Sequence, residues 1–236
     1  MTADTTSPAA PKPAPSKVPV VIIAASAGGL DPISEILVSY PTDLPVATVV
    51  IQHLSPSYRS ELVRLLQLHT AQPVRELGDN TVVEAGCIYV IQPGTQIMLD
   101  HQHVRAVTRN EFKRPYFTID VFLESVARRS APIDACVVLL SGTGSDGTAG
   151  CRAMFESGGY VLVQQLADAK FDGMPLSVIN SGAYHEVLPV NAIAERILAW
   201  LAAGCQVPPP PQFETVEPTR SRCSTPARPT RPASAT

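Results

Sequence analysis

Between residues 18 and 205 the chain alternates short apolar runs with helix-patterned stretches. The runs 18–25, 46–52, 87–92, 135–141 and 160–164 are apolar at nearly every position, so each has to be covered on both faces. Helical patterns follow near 32–39, 58–69, 118–129 and 148–157. A last helix over 192–203 ends at Gly204, a residue suited to the turn that closes a helix. Strands buried on both sides and separated by helices predict an α/β domain. Its sheet is doubly wound and mostly parallel, with helices on both faces. Residues 97–99 and 104–107 flank Asp100-His101-Gln102-His103 and read as a small antiparallel hairpin inserted into this pattern.

The ends of the chain differ from its middle. Thirteen of the 23 prolines lie in residues 1–19 and 206–236, among Ala, Ser and Thr. Such segments bury too little apolar surface to offset the entropy of ordering, so 1–17 and 206–236 are expected to be disordered tails around one domain, 18–205. The tails carry +1 and +2 of a formal chain charge of −3, which leaves the core near −6. An acidic core excludes a phosphate-backbone partner, and the arginines of the second tail are expected to be solvated. The five cysteines are scattered without a CxxC pair, which predicts a reducing cytoplasm with neither a disulfide framework nor a zinc site. No run reaches the ~20 apolar residues that span a bilayer, and no secretory leader is visible.

In parallel sheets the reactive crevice forms outside the carboxyl ends of the strands. Three residues with complementary chemistry fall there. Ser26 ends the first strand in Ala24-Ala25-Ser26-Ala27-Gly28-Gly29, beside the start of a helix whose N–H groups offer an anion site. His53 ends the next strand, one β-α-β unit later, and a right-handed crossover sets such strands side by side or nearly so. Asp146 follows a third strand in Ser141-Gly142-Thr143-Gly144-Ser145-Asp146-Gly147. Taken singly, His53 could serve only to bond a loop and Asp146 only to cap the helix that follows it. Taken together they make a nucleophile, a base and an acid that orients the base. Gly142-x-Gly144-x-x-Gly147 also matches a dinucleotide-binding pattern, but no acid ends the following strand at Gln164-Gln165 to hold a ribose. That reading predicts thermal stabilisation by a dinucleotide. His101 and His103 could face a metal together, yet no third ligand is in view.

Four motifs occur in order: Ala25-Ser26-Ala27-Gly28-Gly29, Gln52-His53-Leu54-Ser55-Pro56, Ser141-Gly142-Thr143-Gly144-Ser145-Asp146-Gly147 and Phe171-Asp172-Gly173-Met174-Pro175. Together they resemble the catalytic domain of the CheB family, the protein-glutamate methylesterases of bacterial chemotaxis. The resemblance implies hydrolysis of glutamate methyl esters on chemoreceptor helices, with release of methanol, and in many members deamidation of receptor glutamines. It makes Ser26 the nucleophile, His53 the general base and acid, and Asp146 the residue that orients the histidine. It also points to Ala27, Gly28 and Thr143 as backbone donors of an oxyanion hole, and it calls for no metal or organic cofactor. Thr143 stands where chemotaxis members typically carry Met and resembles instead the variant found in fusions with a methyltransferase domain, and Leu176 stands where Arg is common. Members often carry an N-terminal receiver domain. Seventeen residues are too few for one, so control is expected from another chain, such as a separate receiver or methyltransferase protein. The alternative is a catalytically silent docking module of the same fold.

Overall fold

The computed structural model describes residues 18–53, 61–91, 95–100, 103–107, 117–129 and 134–211. In chain order the elements are β1 (Val20–Ala25), α1 (Leu30–Val38), β2 (Ala47–Gln52), α2 (Glu61–Gln67), β3 (Val74–Leu77), β4 (Ile88–Ile91), β5 (Gln96–Asp100), β6 (His103–Val107), α3 (Thr118–Ala127), β7 (Ala135–Leu139), α4 (Thr148–Glu156), β8 (Tyr160–Gln164), α5 (Gly173–Ser181), β9 (Glu186–Leu188) and α6 (Val190–Ala202). Residues 1–17 and most of 206–236, read from the sequence as tails, lie outside the described residues, as does His101.

Seven strands form one sheet in the order β3-β4-β2-β1-β7-β8-β9, and every pairing in it is parallel. The expected doubly wound α/β fold is therefore present, with β5 and β6 as a separate antiparallel pair. Alternate residues of β1 feed opposite faces, as the period of a strand requires. Val20, Ile22 and Ala24 enter one apolar layer with Phe122, Met154 and Met174, so α3, α4 and α5 cover that face. Val21, Ile23 and Ala25 enter the other with Ile33, Leu66, Ile193 and Trp200, so α1, α2 and α6 cover the second.

Two strands escape the sequence reading, β3 and β9, and both are edge strands. Each is short, and neither carries the unbroken apolar run that marks a central strand: β3 alternates buried ends with exposed Arg75 and Glu76, and β9 is only half-buried. The segment Met174-Pro175, read from the sequence as a rigid turn ahead of a short helix, lies instead inside the first turn of α5. Proline is tolerated there because the first turn leaves its N–H positions unpaired in any case.

The inserted hairpin is tied down by α3. Leu99 N–H donates to Ser125 Oγ at 2.9 Å, and Ile97, Leu99 and Val104 join the layer that holds Phe122. Phe122 is wholly buried where helix, hairpin and sheet meet. Phe122→Ala should therefore lower unfolding free energy by about 3–5 kcal/mol, read as a drop in the urea midpoint with an unchanged slope.

Candidate active site

β1 lies between β2 and β7 in the middle of the sheet, so its carboxyl end is flanked by the ends of both. In the β1–β2 register Ala25 pairs with Gln52, which makes Ser26 and His53 the next residues on adjacent strand ends. Neighbouring strands run about 4.8 Å apart, so the two residues are set side by side by backbone geometry alone. His53 N–H donates to Ala25 O at 3.2 Å, and Ser26 N–H donates to Ser141 O at 3.0 Å. Ser26 is thus anchored on both sides while its side chain stays half-exposed.

Asp146 reaches the same place from the β7–α4 loop. Its Oδ2 lies 2.8 Å from His53 Nε2. The distance suits a hydrogen bond, although the ring N–H is not aligned on the oxygen. Such contacts are often loosely aimed in unliganded sites and tighten around a substrate. The carboxylate is buried and the imidazole partly exposed, with 7% and 31% of their side chains accessible.

Asp146 also caps a helix, though not the one that follows it. Oδ2 accepts the Ile119 N–H at 3.1 Å and Oδ1 the Asp120 N–H at 2.9 Å, both from the first turn of α3. The start of α4 is left to Gly147, which holds φ of +96° as its N-cap. Capping and contact with His53 are therefore one arrangement. Donors at the start of α3 fix the orientation of the carboxylate, and Oδ2 also meets the histidine.

Three loops are bonded into one floor. The buried Ser141 hydroxyl donates to Ala27 O at 2.9 Å and accepts the Phe171 N–H at 3.0 Å. Gly142 N–H donates to Phe171 O, and Met174 N–H returns a bond to Gly142 O, each at 2.9 Å. Gln164 sits at the strand end where a nucleotide-binding acid would stand. Its Oε1 instead accepts the Ser141 N–H at 2.8 Å, and its side-chain amide donates to Asp168 O. The N–H groups of Ala27, Gly28 and Thr143 take no partner among the described residues.

Gly142 is fixed by close approach. A Cβ there would lie 2.1 Å from Met174 Sδ and 2.9 Å from Ser26 Cβ. The glycine that opened the dinucleotide-like pattern thus makes room for protein atoms. Gly142→Ala should cost about 1–3 kcal/mol of stability through overpacking, measured by thermal melting. It should also displace Ser26.

A family model described as CheB methylesterase matches residues 21–197. The chain belongs to the CheB methylesterase family. Among CheB relatives, protein-glutamate methylesterase/protein-glutamine glutaminase 3 of Burkholderia orbicola is 35% identical over 196 residues, covering 83% of this chain and 58% of that protein. The corresponding protein 1 of Cupriavidus pinatubonensis is 33% identical over 211 residues, covering 86% and 61%. The chain thus spans about three-fifths of the length of these curated relatives. The crystal structure of the Thermotoga maritima CheB methylesterase catalytic domain superposes with a TM-score of 0.68 at 27% identity, over 78% of this chain and 99% of that one.

Sequence reasoning assigned no role in this site to two residues, Met174 of the fourth motif and Asp120. Met174 is wholly buried and fills the space above Gly142. Asp120 contributes both its N–H and its carboxylate to the ground beneath Asp146. An acid in the first turn of a helix signals a role at that helix start, but nothing local says which loop it meets.

Proposed function

We propose that this chain is a serine hydrolase that cleaves glutamate methyl esters on chemoreceptor helices in the cytoplasm. The observation that carries the reading is the placement of Ser26 and His53 on adjacent strand ends, with Asp146 2.8 Å from His53. Membership of the CheB family supplies the substrate class, and the curated relatives bear the names of both a methylesterase and a glutaminase.

With Nε2 turned to Asp146, Nδ1 is the ring nitrogen left to take a proton from Ser26. Ser26 Oγ adds to the ester carbonyl, and the negative charge moves to the carbonyl oxygen. The unpartnered N–H groups of Ala27, Gly28 and Thr143 are the donors assigned to that oxygen. The adduct collapses, the proton on His53 passes to the leaving methoxide, and methanol departs from an acyl-serine. Water, deprotonated by His53, then releases the glutamate carboxylate and restores the hydroxyl. The same sequence on a glutamine side chain releases ammonia. Asp146, at His53 Nε2, keeps the imidazole in one tautomer.

Thr143 and Phe171, on the loops bonded beside Ser26, and Leu176 in the first turn of α5 are exposed and are the surface assigned to a receptor helix. Among the described residues no helix is long and apolar enough to cross a membrane. The test is methanol release from methylated receptor membranes by the wild-type chain beside Ser26→Ala. Release that persists in the variant would refute the assignment.

A further inference from the structure

Asp120 lies in the first turn of α3 and is 8% exposed. Its N–H donates to Asp146 Oδ1, and its own Oδ1 accepts the N–H of Gly150, in the first turn of α4, at 2.7 Å. The Gly147 N–H also favours its anion. The bonding is reciprocal. The carboxylate of the β7–α4 loop holds the start of α3, while the carboxylate from the start of α3 holds the start of α4. Asp146 is thus held by the start of α3, which Asp120 ties in turn to the start of α4.

This clasp brings two acids close together. Burial first, and then the charge of Asp146, push the Asp120 carboxyl up to about 6. The titratable groups that face it are Asp146 from the loop, Cys151 from α4 and Glu124 from its own helix. Capping by itself does not require such a pair, because an amide or hydroxyl oxygen accepts a helix N–H without adding charge.

We propose that Asp120 is a positioning residue for the hydrolysis assigned above: its ionised carboxylate, acting through Asp146, holds His53 in its working orientation. The inference rests on that assignment. Charge-assisted bonds to Gly150 and Gly147 are stronger than those to a neutral acceptor, so losing the charge loosens the loop without deleting its acceptor.

The experiment compares the labelling rate of Ser26 by a fluorophosphonate probe in wild type and Asp120→Asn across pH, with Ser26→Ala as the blank. At about pH 8 the variant should label about ten- to a hundredfold more slowly, the scale of a small misplacement in a reacting group. As the pH falls through about 6, wild-type Asp120 takes up a proton, so the ratio of the two rates should shrink toward one.

Stability should move the other way. A carboxyl raised in the fold favours folding in its protonated form, and that contribution is lost as the pH rises through about 6. Asp120→Asn should therefore keep or raise the melting temperature at neutral pH while it slows labelling. If the asparagine variant does not fold, Asp120→Ser, which also keeps an acceptor without the charge, is read in the same way. Equal rates in variant and wild type, or a ratio constant with pH, would overturn the positioning role alone. A wild-type chain that labels no faster than Ser26→Ala would overturn the hydrolase assignment, and this inference with it.

Discussion

Ser26→Ala should reduce methanol release by at least about a thousandfold and leave the fold intact. The expectation follows from where the hydroxyl stands. Ser26 is held by its backbone, through its N–H to Ser141 O and its carbonyl to Gly29 N–H. Its Oγ makes no hydrogen bond with the described residues, and the side chain is half-exposed. Deleting one exposed oxygen changes stability by less than about 0.5 kcal/mol. A melting curve superimposable on wild type, paired with methanol at background, is the expected pair of results. A large loss of stability would show that the hydroxyl has a structural partner.

Asp146→Asn should damage both activity and stability. The side chain has three donors to satisfy: the N–H groups of Ile119 and Asp120 and His53 Nε2. An amide offers one oxygen and one NH2 group, so at least one of these donors would face another donor. Loss of the correct histidine tautomer in this type of site costs about 10⁴ in turnover. The unmatched N–H in a buried setting adds about 1–3 kcal/mol of lost stability. Methanol release and a denaturant titration on one preparation measure the two together. Asp146→Asn and Ser26→Ala are therefore distinguishable even where both are inactive, because only the former melts earlier.

The central strands were legible because each is apolar through its length, and the carboxyl ends of β1, β2 and β7 then located Ser26, His53 and Asp146. The edge strands were not, since Val74–Leu77 and Glu186–Leu188 depend on a neighbour already in place and carry little pattern of their own. For Asp146 the local pattern pointed at capping of the helix that follows, and the structure answers that it caps α3 while touching His53. A chain pattern cannot select between helix starts distant in sequence. Met174 shows a similar limit: its partner, Gly142, lies on another loop, and the contact exists only once β7 and β8 are paired.

The bonded floor and the open surroundings of the site imply a division of labour. Ser141, Gly142 and Met174 are buried and interlocked, so a change at any one disturbs the other two and the strand end that carries Ser26. Thr143 and Phe171 on the adjoining loops and Leu176 in the first turn of α5 are exposed instead. Substitution at those three positions should therefore alter the face the site presents to a partner while leaving the floor beneath it, and the position of Ser26, unchanged.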